Sequence, residues 1–395
     1  MINIEGKYSK AVIYTNNVEE KAIDQIKEIC DQEFAKGCKI AIMPDVHAGK
    51  GCTIGTAMEI KDKVVPNLVG VDIGCGMLCV KLKDKEVDYQ KLDDTIRNFI
   101  PYGAEVREDP HGYNKRITLE KLKCKDFVSI DRASKSLGSL GGGNHFIELN
   151  KDDDGNLYLV IHTGSRYLGK QVAEYYQNLA INSLTDIKSE KQVLISKLKE
   201  EGREKYIQEE LKKLKKPEII KHLAYLQGNN LKDYLHDIDI VQRYSTENRK
   251  AIADTIISNM GLTADEFFTT IHNYIDTKNS ILRKGAISAQ LGEKVIIPIN
   301  MRDGSIIAVG KGNPNWNYSA PHGAGRILSR RKAKEKLSLE EFKNEMENVW
   351  STSVCDSTLD ESPMAYKPIE DIINNIGETV EIIKMLKPVY NFKAN

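Results

Sequence analysis

Short β-like runs that end in glycine-rich loops recur along this chain, and they constrain its fold more than any other feature. Cys38 to Met43 reads as a buried strand and opens into Pro44–Gly55. A second apolar stretch, Val64 to Val80, is broken by Pro66, Asn67 and Asp72 and carries the loop Gly70–Gly76. A third loop, Leu137-Gly-Ser-Leu-Gly-Gly-Gly-Asn-His145, is too rich in glycine for regular structure and leads into a strand from His145 to Leu149. Groups that do chemistry tend to lie on loops of this kind, held by a rigid scaffold.

Between these runs the spacing predicts helices. Ile23, Ile26, Cys30 and Phe34 repeat at helical intervals over Asn17 to Ala35, and Gly37 follows as a stop. Val87–Ile100, Leu168–Leu184, Leu231–Met260, Leu337–Trp350 and Pro368–Met385 read as further helices, while Pro101–Asp126 has no clear pattern. Ser280–Met301 reads as strands and turns. Residues 186–216 are dominated by Lys and Glu around a thin apolar stripe, the pattern of a solvated helix or helical pair. No internal repeat and no linker divides the 395 residues, so a single domain over 1–395 is expected, with a helical excursion near 186–260.

Charge and composition remove some function classes. Lys+Arg and Asp+Glu each number 57, so a strongly basic chain is no argument for nucleic acid, although a local basic groove stays open. No apolar run is long enough for a transmembrane helix, and the N-terminus MINIEGKYSK has no apolar signal core. A cytoplasmic protein without a membrane partner is therefore expected. Seven irregularly spaced cysteines read as reduced thiols, with metal or catalytic use open.

Five of the eight histidines, His47, His145, His162, His272 and His322, sit in loop or strand-end contexts. Two of them meet by hairpin geometry. The midpoint of 145 and 162 is 153.5, inside the turn cluster Asp152–Asn156. An antiparallel hairpin with that midpoint sets His145 opposite His162, with Cα atoms about 4.5–5.5 Å apart. Asp72 and Cys75 offer a carboxylate and a thiolate on a glycine-rich turn. Such a donor set suits a borderline divalent metal, with zinc, manganese or iron all open.

Phosphate binding is suggested separately. Gly-Gly-Gly-Asn144, Gly164-Ser-Arg166, Arg283-Lys284-Gly285 and Gly323-Ala-Gly-Arg326 each pair small residues with donors, yet neither familiar nucleotide loop is present. His322, between Pro321 and Gly323, is unhindered; it can be a nucleophile toward phosphorus, a metal ligand or a general base.

The strings MPDVHAGKGCTIGT (43–56), VGVDIGCGM (69–77), SLGSLGGGNHFIE (136–148), IHTGSR (161–166), HNY (272–274), RKGAISA (283–289), HGAGRILSR (322–330) and MAYK (364–367) resemble the RtcB family of RNA ligases. The match runs in order from about residue 40 to the C-terminus. The resemblance implies an α+β fold, one large domain with mixed β-sheets around a metal pocket and peripheral helices. It implies joining of an RNA 2′,3′-cyclic phosphate or 3′-phosphate end to a 5′-hydroxyl end, with GTP and two Mn²⁺ ions per chain. A histidine takes GMP, GMP passes to the RNA 3′-phosphate, and the 5′-hydroxyl expels it. Carried over by position, the nucleophile is His322, with Asp45 orienting it. The metal ligands are Asp72, Cys75, His145, His162 and His272, with Cys75 bridging. Asn144, Glu148, Gly323, Ala324, Gly325, Arg326, Tyr366 and Lys393 match nucleotide contacts, and Arg166, Lys284 and Arg330 match residues placed for phosphate or RNA. The partners implied are RNA with those ends and an activating protein, with a monomer expected. Asn317-Tyr-Ser-Ala-Pro321, Ile299-Asn-Met-Arg302 and the Tyr-Leu after Arg166 depart from the pattern of the better-known members.

Overall fold

Ile40–His47, buried on both faces over most of its length, lies inside a six-stranded sheet. In spatial order its strands are Ile2–Glu5, Lys10–Ile13, Ile40–His47, Ile54–Glu59, Ile281–Lys284 and Asn273–Asp276. Lys10–Ile13 and Ile40–His47 run parallel, and the helix Glu20–Cys30 makes the crossover that a parallel pair requires. The computed structural model describes residues 1–394, apart from the side chain of Ser189.

A second sheet has seven strands, in the order Ala264–Ile271, Gly76–Leu82, Leu157–Thr163, Phe146–Lys151, Val380–Lys393, Gly304–Gly310 and Lys294–Asn300, with every neighbour antiparallel. Side chains alternate across a strand, and this splits Gly76–Leu82 between two cores. Leu78, Val80 and Leu82 meet Leu92 and Ile96 of the helix Tyr89–Phe99, and Ile252 and Ile256 of the long helix Gly228–Met260. Met77 and Cys79 meet Phe146, Val160, Ile296, Ile307 and Leu386 on the other face. The architecture is α+β, as expected.

One residue links the two sheets. Ile271 pairs with Gly76 in the second sheet, while Asn273 pairs with Lys284 in the first. The chain therefore changes sheets at His272, whose backbone N–H donates to Cys75 O at 2.9 Å. The glycine-rich loops gather along this seam.

Several expectations need correction. The first helix is Glu20–Cys30, and Glu33–Ala35 is a separate single turn. The helix expected over Leu337–Trp350 covers only Leu339–Glu345. Pro368–Met385 is not one helix: Ile369–Ile376 is helical, and Val380–Lys393 is a strand between Gly304–Gly310 and Phe146–Lys151. Val380, Ile382, Ile383, Tyr390 and Phe392 favour that pleated, half-buried setting, and Pro388, which has no N–H to donate, sits at an irregularity in the ladder. Of the span 186–260, only Lys188–Glu200 and Ile207–Lys213 form a largely exposed helical pair. The helix Gly228–Met260 is core, with Ile238, Val241, Tyr244, Ala251 and Ile252 fully buried.

Candidate active site

The expected hairpin forms, but its register is shifted. Phe146, not His145, pairs with His162, and the ladder continues through Leu149 opposite Leu159. The loop sets this register. Asp152 N donates to Asn156 O at 3.1 Å, and Asp152 Oδ1 accepts from the backbone N–H groups of Asp154 and Asn156 at 3.1 and 2.8 Å. That centres the hairpin on residue 154. His145 lies just before its strand, and the chain turn there still brings its ring to 5.3 Å from that of His162, centroid to centroid.

Five donors converge at the seam. Cys75 Sγ is 3.5 Å from His145 Nε2 and 3.3 Å from His162 Nε2. His145 Nε2 is 2.9 Å from Asp72 Oδ2, and His162 Nε2 is 3.3 Å from His272 Nε2. They form two overlapping sets, Asp72–Cys75–His145 and Cys75–His162–His272, each with its ligand atoms within 4.8 Å of one another. The tautomers follow from the partners: His145 Nδ1 faces Leu140 O at 3.0 Å and His162 Nδ1 faces Asn144 O at 3.1 Å. Each Nδ1–H donates to its carbonyl and leaves a bare Nε2 aimed inward.

The electrostatics fit a metal. Burial, aided by the neighbouring rings, pushes His162 and His272 well below the ordinary histidine value, so both are neutral at pH 7, the form that can bind a metal. Burial, with Asp72 beside it, pushes the Cys75 thiol well up, so its thiolate requires a cation. Asp72 is held down at about 2 against its burial by the neighbouring histidine rings, so it is a carboxylate at pH 7. His162 Nε2 and His272 Nε2 face one another at 3.3 Å and Cys75 belongs to both sets, so these donors could hold a cation. Gly164 completes the floor: a Cβ there would lie 2.0 Å from Asp72 Oδ1.

His322 stands beside this cluster, its ring 4.8 Å from that of His272. Its Nδ1 is 2.6 Å from Oδ2 of Asp45, which is fully buried. The same oxygen accepts from His322 N at 3.0 Å and Gly323 N at 3.3 Å. The short charge-assisted bond keeps the proton on Nδ1 and leaves Nε2 with a free lone pair. Gly325 permits the turn: its φ is +77°, and a Cβ would lie 2.3 Å from Asp45 O.

A cleft of about 670 Å³ runs past these groups. Asn144, Glu148, Tyr366 and Lys393 line it together with Gly323, Ala324, Gly325, Arg326 and Arg330, and Lys284 joins its wall near Gly70. Glu148 is buried and takes Asn391 Nδ2 at 2.6 Å; burial lifts its carboxyl to about 7, with Asn150, Asn391 and Lys393 opposing the rise. Arg166 is turned aside, donating from Nε to Ser139 Oγ at 3.0 Å and from Nη2 to Gly103 O at 2.8 Å.

The family profile described as tRNA-splicing ligase RtcB matches residues 25–394. The chain belongs to the RtcB family. It is 30% identical to the RNA-splicing ligase RtcB of Escherichia coli K12, with 90% of each chain covered. It is 26% identical to the tRNA-splicing ligase RtcB of Archaeoglobus fulgidus, covering 93% of this chain and 90% of that one. Identity to the tRNA-splicing ligase RtcB of Nanoarchaeum equitans is 25%, over 99% of this chain and 96% of the relative. Among the described residues no helix is long and apolar enough to cross a membrane.

Sequence reasoning missed a supporting layer in this RtcB-family chain. Along the helix Gly228–Met260, one polar stripe holds the loops that carry the donor residues. Gln242 Oε1 accepts Ile275 N at 2.8 Å, and Ser245 Oγ donates to Ile73 O at 2.9 Å. Asn248 bonds Gly138 N, Ser139 N, Ser139 O and Gly164 O. Arg249 Nη1 donates to Gly74 O and Thr163 O, both at 2.8 Å. Residues at this spacing share a helix face, and a polar face reads in sequence as a solvated one. Lys367 was also missed; its Nζ donates to Pro44 O and Val46 O, the carbonyls flanking Asp45, at 3.1 and 3.2 Å. So was Glu361, which accepts from Tyr366 Oη at 2.6 Å and from Lys393 Nζ and Arg326 Nη1 at 3.2 Å each. Against its burial, Lys393, Arg330 and Arg326 together hold Glu361 at about 2.

Proposed function

We propose that this chain is an RNA ligase that joins a 2′,3′-cyclic phosphate or 3′-phosphate end to a 5′-hydroxyl end, using GTP and Mn²⁺, in tRNA splicing or RNA repair. The observation that carries the reading is the Asp45–His322 pair beside the two donor sets, with Nε2 left free. In this scheme His322 Nε2 attacks the α-phosphorus of GTP, forming the N–P bond as pyrophosphate leaves. Asp45 keeps Nδ1 protonated and stabilises the imidazolium character that develops. A cyclic end is first opened by water, which breaks the P–O2′ bond to leave a 3′-phosphate and a 2′-hydroxyl; GMP then passes from His322 to the RNA 3′-phosphate, and the 5′-hydroxyl attacks the activated phosphorus and expels GMP.

Asp72, Cys75, His145, His162 and His272 would hold two Mn²⁺ ions, which supply charge neutralisation at the phosphates. Glu148, Asn144, Lys393 and Tyr366 gather in the cleft with Gly323–Gly325, which supports a guanylate site there. Arg326, Arg330 and Lys284 supply the positive charge that phosphate oxygens require. Arg166, bonded to Ser139 and Gly103, supports the wall instead of facing substrate. The site requires no second copy of the chain, and we read it as a monomer acting in the cytoplasm.

The test is a joining assay with two RNA fragments, one ending in a 3′-phosphate and the other beginning with a 5′-hydroxyl. The wild type should give joined product with GTP and Mn²⁺ together, and His322→Ala none. Joined product without GTP, or from His322→Ala, would overturn the mechanism. Cleavage without joining would indicate a metallohydrolase instead.

A further inference from the structure

Among the buried thiols that the proposed reaction leaves unused, Cys52 lies against an amine. Cys52 Sγ lies 2.8 Å from Lys284 Nζ, and both groups share one carbonyl. Lys284 Nζ donates to Asn67 O at 3.0 Å, and the Cys52 thiol donates to the same oxygen at 3.2 Å. Both side chains are buried, so neither drifts far from the other. Yet the pair is not sealed off. Gly51, Asn67 and Lys284 all line the cleft. An amine held against a sulfur is placed to react with it once the sulfur becomes electrophilic.

We propose that Cys52 and Lys284 form a reversible, oxidation-dependent covalent link, with a peroxide as the oxidant. Cys52 Sγ attacks hydrogen peroxide; the O–O bond breaks, an S–O bond forms, and one water leaves. The sulfur gives up two electrons and becomes a sulfenic acid. Lys284, as the free amine, then attacks that sulfur through Nζ. An S–N bond forms, the S–O bond breaks, and the hydroxyl leaves with an amine proton as a second water. Thiol, amine and one peroxide thus give a sulfenamide and two waters. An added thiol reverses the link, attacking sulfur to release the amine, and a second thiol then frees Cys52.

The link removes the Lys284 ammonium from a wall it shares with Gly70 and Gly285, the latter packed toward His322. A loss of ligation follows from this only if Lys284 acts on phosphate, as the proposed function holds; the link itself does not depend on that reading.

The experiment treats the full-length protein with hydrogen peroxide, alkylates free thiols, digests without reductant and reads the peptides by mass spectrometry. The expected product is the Cys52 peptide joined to the Lys284 peptide, at their summed mass less two hydrogens. Trypsin no longer cuts after Lys284, and thiol reduction restores both peptides. Lys284→Arg keeps the charge but gives no joined pair, leaving Cys52 as a sulfenic acid that a dimedone probe captures. Cys52→Ser gives neither product. Recovery of Cys52 in the wild type as a free thiol, or as sulfinic or sulfonic acid with no joined pair, overturns the proposal. This readout decides the matter whether or not the variants fold. A joined pair with ligation intact keeps the link and rejects the phosphate role of Lys284.

Discussion

Asn248 uses its whole hydrogen-bonding capacity inside the protein. Oδ1 accepts Gly138 N at 2.7 Å and Ser139 N at 3.1 Å, while Nδ2 donates to Ser139 O and Gly164 O at 3.1 Å each. The residue is fully buried. It ties the loop that leads into His145 to the one that follows His162. Asn248→Ala removes all of these bonds and leaves their partners without water. At about 1 kcal/mol net for each, the loss is about 4 kcal/mol. Asn248→Leu fills the space with no donor or acceptor, so it separates lost hydrogen bonds from a cavity and should cost as much. Urea unfolding with linear extrapolation measures both, read as a fall in midpoint at unchanged slope. Under the proposed function manganese retention should fall in parallel, since both loops carry donor residues. A loss under about 1 kcal/mol in both variants would refute the view that this side chain fixes the loops.

Three further outcomes follow. Burial raises Glu148 from 4.5 to about 7, so this group contributes stability that is fully present below pH 4.5 and lost as pH rises through 7. Glu148→Gln should flatten that part of the stability profile, measured by unfolding at pH 5 and pH 8, and GTP binding by the wild type should weaken below pH 7 as the carboxylate protonates. Asp45→Asn keeps the shape but removes the carboxylate charge that faces His322 Nδ1; guanylylation should slow by roughly 10²–10⁴-fold in single-turnover assays while GTP affinity holds. Cys75 alone belongs to both donor sets, so Cys75→Ala should lower bound manganese more than His272→Ala, as read by elemental analysis after dialysis.

The site was more legible than its support. Asp72, Cys75, His145 and His162 stand in glycine-bearing strings that mark backbone turning into a pocket, and the structure brings them together with His272. Hairpin arithmetic put His145 near His162 yet missed the register by one residue, because hydrogen bonds within the loop decide where a turn centres. Gln242, Ser245, Asn248 and Arg249 were illegible for a physical reason. A polar helix face that binds loop carbonyls has the same residue pattern as one that binds water. Val380–Met385, the first part of the strand Val380–Lys393, reads as a helix extension because the strand's partners, Gly304–Gly310 and Phe146–Lys151, are remote in sequence. Glu361 carried no local signal, since its meaning comes from Tyr366, Lys393 and Arg326 meeting it in space.

The central claim is that His322 takes the nucleotide. The most direct measurement is incubation with manganese and α-labelled GTP, followed by denaturation and peptide mapping of any label that stays on the protein. The account predicts an acid-labile GMP adduct on the peptide that contains His322, absent from His322→Ala. Label on another residue, or none while manganese is bound and GTP is intact, would contradict it.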